Sequence, residues 1–133
     1  MRMRSVIFLV ALCLGITAAV TDGKAQNRII ALKSGESIEL HTVYWVSNCR
    51  SIMVGLPEIE ILEGQEHVAL SMKADMVLPR RQECANRVPG GILTATAKDV
   101  KEPMEGKLVY RLKYKIKDGD RPRGYTFRLS LFP

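Results

Sequence analysis

Apolar and polar residues alternate strictly near the C-terminus of the chain. Every second residue is apolar over residues 108–116, and a second alternating run covers residues 125–131. A period of two is typical of a strand with one buried and one solvated face. Residues 118–124, rich in Asp, Gly and Arg, are predicted to form the turn between the runs. The pattern therefore predicts an antiparallel hairpin with an apolar face and a basic face.

Shorter strand-like runs precede this hairpin. They cover residues 28–33, 38–46, 52–54, 58–63, 67–73 and 92–98, whereas 75–83 and 88–91 are predicted as loop and turn. No segment has a helical period, and about seven short strands in one domain are typical of a two-sheet sandwich. We therefore predict an all-β fold, an antiparallel Ig-like β-sandwich of about seven strands over residues 26–133, with a small up-and-down β-barrel as the alternative.

The first 25 residues have the features of a secretory signal peptide. Arg2 and Arg4 precede an apolar stretch, residues 6–20, that is shorter than the roughly 20 residues of a membrane span. Small residues allow cleavage after Ala19 or Ala25, and Ala25 is preferred because a strand-like run follows closely. A retained anchor is the alternative. We therefore expect a periplasmic or secreted protein whose mature chain has no transmembrane segment.

Removal of residues 1–25 changes the charge and the cysteine count. The whole chain carries a net charge of +6, and the loss of three basic residues and one acidic residue leaves about +4, so no nucleic-acid partner is expected. Two cysteines remain, Cys49 and Cys84, and an even number in an exported chain predicts one disulfide, with two free thiols as the alternative. Closing that loop should stabilise the fold by about 3–4 kcal/mol.

The single tryptophan does not follow the pattern of an immunoglobulin domain proper, which places Trp between two inter-sheet cysteines. Trp45 precedes Cys49, and both cysteines fall in turn-like stretches, so the predicted disulfide joins two loops. Trp45 is expected either to pack under the Cys49 loop or to be exposed as an interface anchor.

The polar face of the hairpin is the strongest candidate binding feature. Its basic residues, called the stripe below, are Arg111, Lys113, Lys115, Lys117 and Arg128. Such a face could bind lipopolysaccharide or another acidic glycan. The alternative is a solvated face whose charge is partly neutralised by Glu58 and Glu60 on a neighbouring strand. Four further arginines are predicted to extend the stripe: Arg80, Arg81, Arg121 and Arg123.

Histidine and methionine raise the question of a copper site, because imidazole and thioether ligands suit copper. The nearest pair, His67 and Met72, is five residues apart, which places the side chains on opposite faces of a strand. The other histidine, His41, has no closer methionine. No metal or other cofactor is therefore expected. An enzyme is not expected either, since no nucleophile motif is present and Glu58 and Glu60 have the pattern of a solvated strand face.

The segments HTVYWVSNC, VLPRRQECA and GGILTATAKDVKEP, with the ending LSLFP, resemble a group of small uncharacterised secreted proteins of rhizobial-type α-proteobacteria. The resemblance spans most of the mature chain. It implies export from a Gram-negative cell and a small Ig-like β-domain, and it implies no ligand. We therefore expect an exported, monomeric, non-catalytic binding module of the cell envelope that recognises an unknown protein or an envelope polyanion. A periplasmic copper-binding protein is the rival class.

Overall fold

The computed structural model describes residues 28–133, so the predicted signal peptide, its cleavage site and the domain start at residue 26 lie outside the described residues. The strands are β1 (Ile29–Lys33), β2 (Ser37–Val43), β3 (Val46–Ser47), β4 (Arg50–Ser51), β5 (Glu58–Glu63), β6 (Val68–Val77), β7 (Val88–Ala97), β8 (Met104–Ile116) and β9 (Gly119–Phe132). A 3-10 turn, Arg80–Gln82, lies between β6 and β7. Among these residues, no helix has the length and hydropathy needed to cross a membrane.

The strands form two main sheets and one small hairpin. The four-stranded sheet has the order β1-β9-β8-β5, the three-stranded sheet has the order β2-β7-β6, and β3 pairs with β4. The β1–β9 pair is parallel, so the prediction of an antiparallel fold is wrong for that pair, and the other pairs are antiparallel. The prediction of an all-β fold is confirmed for residues 28–133. The closed-barrel alternative is wrong for them, since both sheets have open edges.

The inner faces of the two sheets meet in one buried cluster. Its fully buried members include Leu108, Tyr110 and Leu112 on β8, Leu93 on β7 and Val43 on β2. Full burial of an apolar side chain of this size stabilises a fold by about 1.5–3 kcal/mol. The predicted apolar face of the hairpin is therefore part of the core.

The β8–β9 hairpin is longer than predicted. Its register continues to Ile116 opposite Gly119, so the turn consists of only Lys117 and Asp118. The prediction of a turn over residues 118–124 is therefore wrong for residues 119–124, which belong to β9. Gly119 has a φ of 120°, a conformation that favours glycine next to a two-residue hairpin turn.

A proline inside β9 is tolerated because β9 is an edge strand there. β1 pairs with β9 only from Arg128 onward among the described residues. The Arg128 N–H donates to the Arg28 carbonyl, so the position of Pro122, six residues earlier in the same alternation, also faces away from β8. The missing N–H of Pro122 therefore removes no hydrogen bond between β8 and β9.

Residues 88–91, predicted as a turn, are the first part of β7. Gly90 is required by a close approach, because a Cβ there would contact the Val43 carbonyl oxygen and the Val77 side chain. The glycines in this segment therefore serve packing between strands. The predicted loop at 75–83 is wrong at its start, since β6 continues to Val77.

Candidate functional site

A cavity of about 680 Å³ lies at the end of the molecule where β2 ends and where β1 begins to pair with β9. Its base is the inner face of β8 and β9. One wall is the end of β2 with the residues that follow it, and the other wall is the 3-10 turn. The aromatic residues of its base are Tyr114, Tyr125 and Phe127. The volume lies in the range of small-molecule sites.

Three arginines from three separate segments reach this cavity. Arg28 precedes β1, Arg81 lies in the 3-10 turn and Arg123 lies on β9. No acidic residue of the described chain lines the cavity, and neither of the two ion pairs within residues 28–133 includes these arginines. Their positive charge is therefore not neutralised by a carboxylate of the described chain, and guanidinium groups suit carboxylate and phosphate oxygens.

His41 is fixed next to two of these arginines. Its Nδ1–H donates to the Thr42 carbonyl at 3.4 Å, so Nε2 of the neutral ring accepts from the Tyr110 hydroxyl at 2.8 Å. Burial lowers the pKa of His41, and the charges of Arg28 and Arg81 lower it further against the opposing effect of the Thr42 hydrogen bond. The arrangement therefore favours the neutral imidazole and places both arginine charges close to His41.

Trp45 forms part of the cavity wall and is half-buried. The ring centroids of Trp45 and Tyr114 are 5.2 Å apart, and the guanidinium carbon of Arg123 lies 4.8 Å from the Trp45 centroid. Arg123 is thus held against an aromatic ring by a cation–π contact. An interface role of Trp45 stays a prediction, and the structure places its ring between Tyr114 and Arg123.

Two buried tyrosines of β8, Tyr110 and Tyr114, are neutral groups at the base of the cavity. The Tyr125 ring centroid lies 5.2 Å from that of Tyr110 and 4.7 Å from that of His41. Burial, assisted by the neighbouring Tyr125, raises the pKa of both Tyr110 and Tyr114. Their hydroxyls therefore keep their protons at neutral pH and act as hydrogen-bonding groups without charge.

Cys49 and Cys84 lie at disulfide distance, with Cα atoms 5.5 Å apart, as the sequence predicts. Cys49 lies in the β3–β4 turn and Cys84 follows the 3-10 turn. Trp45 precedes the first of these segments and Arg81 belongs to the second. The disulfide therefore connects two parts of the cavity wall that are far apart in sequence.

The stripe on the outer face of β8 is partly neutralised. Arg111 forms an ion pair with Glu60 at 2.7 Å, and Lys115 forms one with Glu58 at 2.6 Å. The hydrogen bond and charge of Lys115 lower the pKa of Glu58, and Glu58 raises that of Lys115 in return. The predicted cross-strand pairs with β5 are confirmed. Within the described chain, three members of the stripe have no ion pair: Lys113, Lys117 and Arg128.

The predicted extension of the stripe by four arginines is wrong for three of them. Arg81 and Arg123 line the cavity instead, and Arg121 pairs with Tyr114, whose side chain faces the core. Arg80 lies on the 3-10 turn, and its contribution to the stripe stays a prediction. One signal in the sequence could have identified Arg123, because it keeps the alternation of the buried residues that follow it on β9.

The described residues contain no group of three His, Cys, Asp or Glu side chains that could hold a metal ion. His41 bonds to Tyr110, whereas Nδ1 of His67 lies 3.3 Å from the Lys98 carbonyl. His41 is opposite Leu93 in β7, and His67 comes just before the residue opposite Ala97. The histidines are thus separated by roughly 16 Å along the strand, and copper binding stays the untested alternative.

Comparison with known proteins gives no match: no family model, no curated protein and no solved structure is similar to this chain at the level required for a match. The resemblance to the rhizobial-type group stays a prediction. A functional conclusion therefore rests on the chemistry of the site and not on ancestry.

Proposed function

We propose that this chain is an exported, non-catalytic binding module with an Ig-like β-sandwich fold, and that its cavity binds a small organic anion. The strand order supports the fold assignment. In immunoglobulin-like domains one sheet carries strands B, E and D and the other carries C, F and G. The order β2-β7-β6 and the order β5-β8-β9 correspond to these sets, with β1 added beside β9.

The observation that carries the proposal is the convergence of Arg28, Arg81 and Arg123 on a cavity that no carboxylate of the described chain lines. Arginines in solvated surface positions are common, but three from separate segments around one concave site are not required by the fold. A hydrogen bond to a charged group contributes about 1.5–3 kcal/mol. Two or three such contacts are sufficient for a specific complex with a small anion.

The environment of His41 supports a binding role and not a catalytic one. Both of its ring nitrogens have partners inside the protein, the Thr42 carbonyl and the Tyr110 hydroxyl. The burial of the ring favours its neutral form. These contacts orient the ring beside the arginines, and no activated nucleophile stands beside it in the described cavity wall.

Contact with lipopolysaccharide or an acidic glycan through the stripe is the second candidate. It is favoured by Lys113, Lys117 and Arg128, which are exposed and have no ion pair within residues 28–133. It is weakened by the pairing of Arg111 and Lys115 with β5. Copper binding has less support, because the two histidines take part in separate hydrogen bonds.

The emission of Trp45 tests the proposal, because it is the single tryptophan of the chain and lies in the cavity wall. The protein is titrated with phosphate, sulfate, succinate and glucuronate, and with glucose as a neutral comparison. At least one anion should cause a saturable change that glucose does not cause. The Arg81→Gln variant should bind that anion about tenfold more weakly.

The matched control removes charge outside the cavity. Lys113→Gln with Lys117→Gln deletes two cations from the stripe, and anion binding should stay within twofold of the parent. The proposal is wrong if no anion changes the emission in a saturable way. It is also wrong if the stripe variant loses binding and Arg81→Gln keeps it.

A further inference from the structure

The cations of the cavity form two separate groups. Arg28 lies beside Phe127 of β9, because the residue after Arg28 is opposite Arg128. The charges of Arg28 and Arg81 both act on His41, which supports placing Arg81 in the same group. Arg123 lies four residues from Phe127 on β9, over the Trp45 ring, at the other end of the cavity.

The two ends are separated by a known length of strand. Phe127 and Arg123 point to the same side of β9 and are four residues apart, which corresponds to roughly 13 Å of strand, with Tyr125 midway between them. A ligand with an anionic group at each end would give both groups of arginines a partner.

The surface between the two ends is aromatic and uncharged. Tyr125 contributes its ring there, packed against Tyr110 and His41. The Trp45 ring contacts Tyr114 and Arg123, so the face under Arg123 is not free for stacking by a ligand. Trp45 is therefore a positioning residue for Arg123.

We propose that the ligand is an elongated organic dianion with an anionic group at each end, one bound by Arg28 and Arg81 and the other by Arg123. Its neutral middle lies on Tyr125. This inference rests on the proposed anion-binding function and deepens it by giving the ligand class. Carboxylate and phosphate share the required chemistry, because both present oxygens that accept from a guanidinium.

Isothermal titration with a series of dicarboxylates tests the two-ended arrangement. The series is malonate, succinate, adipate, suberate and sebacate, each compared with the monocarboxylate of equal carbon number. We expect affinity to rise with chain length to an optimum and then to fall. The dicarboxylate at the optimum should bind at least tenfold more tightly than its monocarboxylate, since the second end adds a charged contact.

Alkane bisphosphonates of the same chain lengths distinguish the two anionic groups. An optimum at the same length in both series, with tighter binding in one, would identify the preferred group. An absence of any length dependence in both series would overturn the two-ended arrangement. If monocarboxylates bind in the cavity as tightly as dicarboxylates, the anion-binding function stands and only the dianion is wrong. If no member of either series binds, both are wrong.

Two variants assign the ends. Arg123 is exposed, so Arg123→Gln should leave the fold intact. It should lower the affinity for the best dicarboxylate about tenfold and leave that for the monocarboxylate within twofold, because the monocarboxylate occupies the two-arginine end. Arg81→Gln should weaken both ligands. Equal losses for both ligands in Arg123→Gln would contradict the assignment, and Lys113→Gln serves as the control outside the cavity.

Discussion

The cavity and the stripe contain the same kinds of residues and differ in their partners. On the outer face of β8, Arg111 and Lys115 each have a carboxylate of β5 within 3 Å. In the cavity, Arg28, Arg81 and Arg123 have none in the described chain. The stripe residues follow a regular spacing in the sequence, and ion pairs neutralise part of their charge. The cavity arginines come from distant parts of the sequence and line one cavity.

This difference shows that strand register, and not the local count of basic residues, decides which charges are free. The register places Glu58 and Glu60 opposite Lys113 and Arg111, so the alternation that creates the stripe also brings its counter-charges. No acidic residue of the described chain lines the cavity beside its arginines. Uncompensated cations in a concave site are typical of ligand binding, because a folded protein gains no stability from keeping them together.

Loss of the disulfide should have the largest effect, and it should affect the cavity more than the stripe. Replacement of Cys49 and Cys84 by alanine removes a link across 35 residues and should lower the free energy of unfolding by about 3–4 kcal/mol. Urea denaturation measures this change. The same variant should bind anions more weakly, since the disulfide fixes the 3-10 turn that carries Arg81 in the cavity wall.

A loss of less than about 1 kcal/mol would show that the two loops keep their positions without the disulfide. Anion affinity equal to that of the parent would contradict its role in the cavity.

The environment of His41 should make stability depend on pH. Because its pKa is lowered in the folded protein, the unfolded chain binds the proton more readily, and stability present above about pH 6.5 is lost as the pH falls through the folded pKa. The charged and titratable groups that face the His41 ring are Arg28, Arg81, Tyr110 and Tyr125. Thermal unfolding at several pH values should show a decline that is smaller in His41→Gln.

His67→Gln is the matched control, because His67 lies outside the cavity, and it should keep the decline of the parent. If His41→Gln keeps the same pH dependence as the parent, the burial of His41 does not control it. A bound anion should reduce the decline, since it offsets the charges of Arg28 and Arg81 beside the ring.

The ion pair between Arg111 and Glu60 should be weak and sensitive to salt. Both side chains are about half exposed, and such pairs contribute about 0.2–1 kcal/mol. A double-mutant cycle with Arg111→Gln and Glu60→Gln measures the coupling energy. It should shrink when the salt concentration is raised to 1 M, and a coupling that salt leaves unchanged would contradict a solvated pair.

Removal of cavity cations should have the smallest effect on stability. It should raise the free energy of unfolding, whereas the changes described above lower it. Arg28→Gln with Arg81→Gln relieves repulsion between like charges near His41 and should raise the free energy of unfolding by about 0.5 kcal/mol without ligand. Arg111→Gln should lower it. Thermal unfolding of the three proteins checks both signs, and a decrease in the cavity variant would show that these arginines stabilise the fold.

The sequence predicts much of the sheet structure, because alternation and turn residues act locally. The buried face of residues 108–116, the strand at 58–63 and the pairing of Cys49 with Cys84 agree with the structure. The hairpin turn lies earlier than the sequence predicts, because Gly, Pro and Asp are typical of turns and here also occur within β9. Pro122 stands on an unpaired edge, where a proline is compatible with a strand.

The cavity could not be predicted, because its residues meet only through long-range topology. Arg28, Arg81 and Arg123 are each separated by more than 40 positions in the sequence, and none belongs to a local motif. Their convergence requires the β8–β9 register, the parallel β1–β9 pair and the 3-10 turn before Cys84 together. Only for Arg123 does the local sequence indicate a position in the cavity, since Arg123 follows the inward alternation of β9.

A nuclear magnetic resonance titration tests most directly whether the cavity, and not the stripe, binds anions. The ¹⁵N-labelled protein is titrated with suberate at physiological salt while the arginine Nε–H signals, the Trp45 indole signal and the amide signals are followed. We expect saturable shifts in Arg28, Arg81, Arg123 and Trp45, and none at the amides of Lys113 and Lys117. Shifts confined to β5 and the outer face of β8 would contradict the cavity assignment and would make the stripe the binding site.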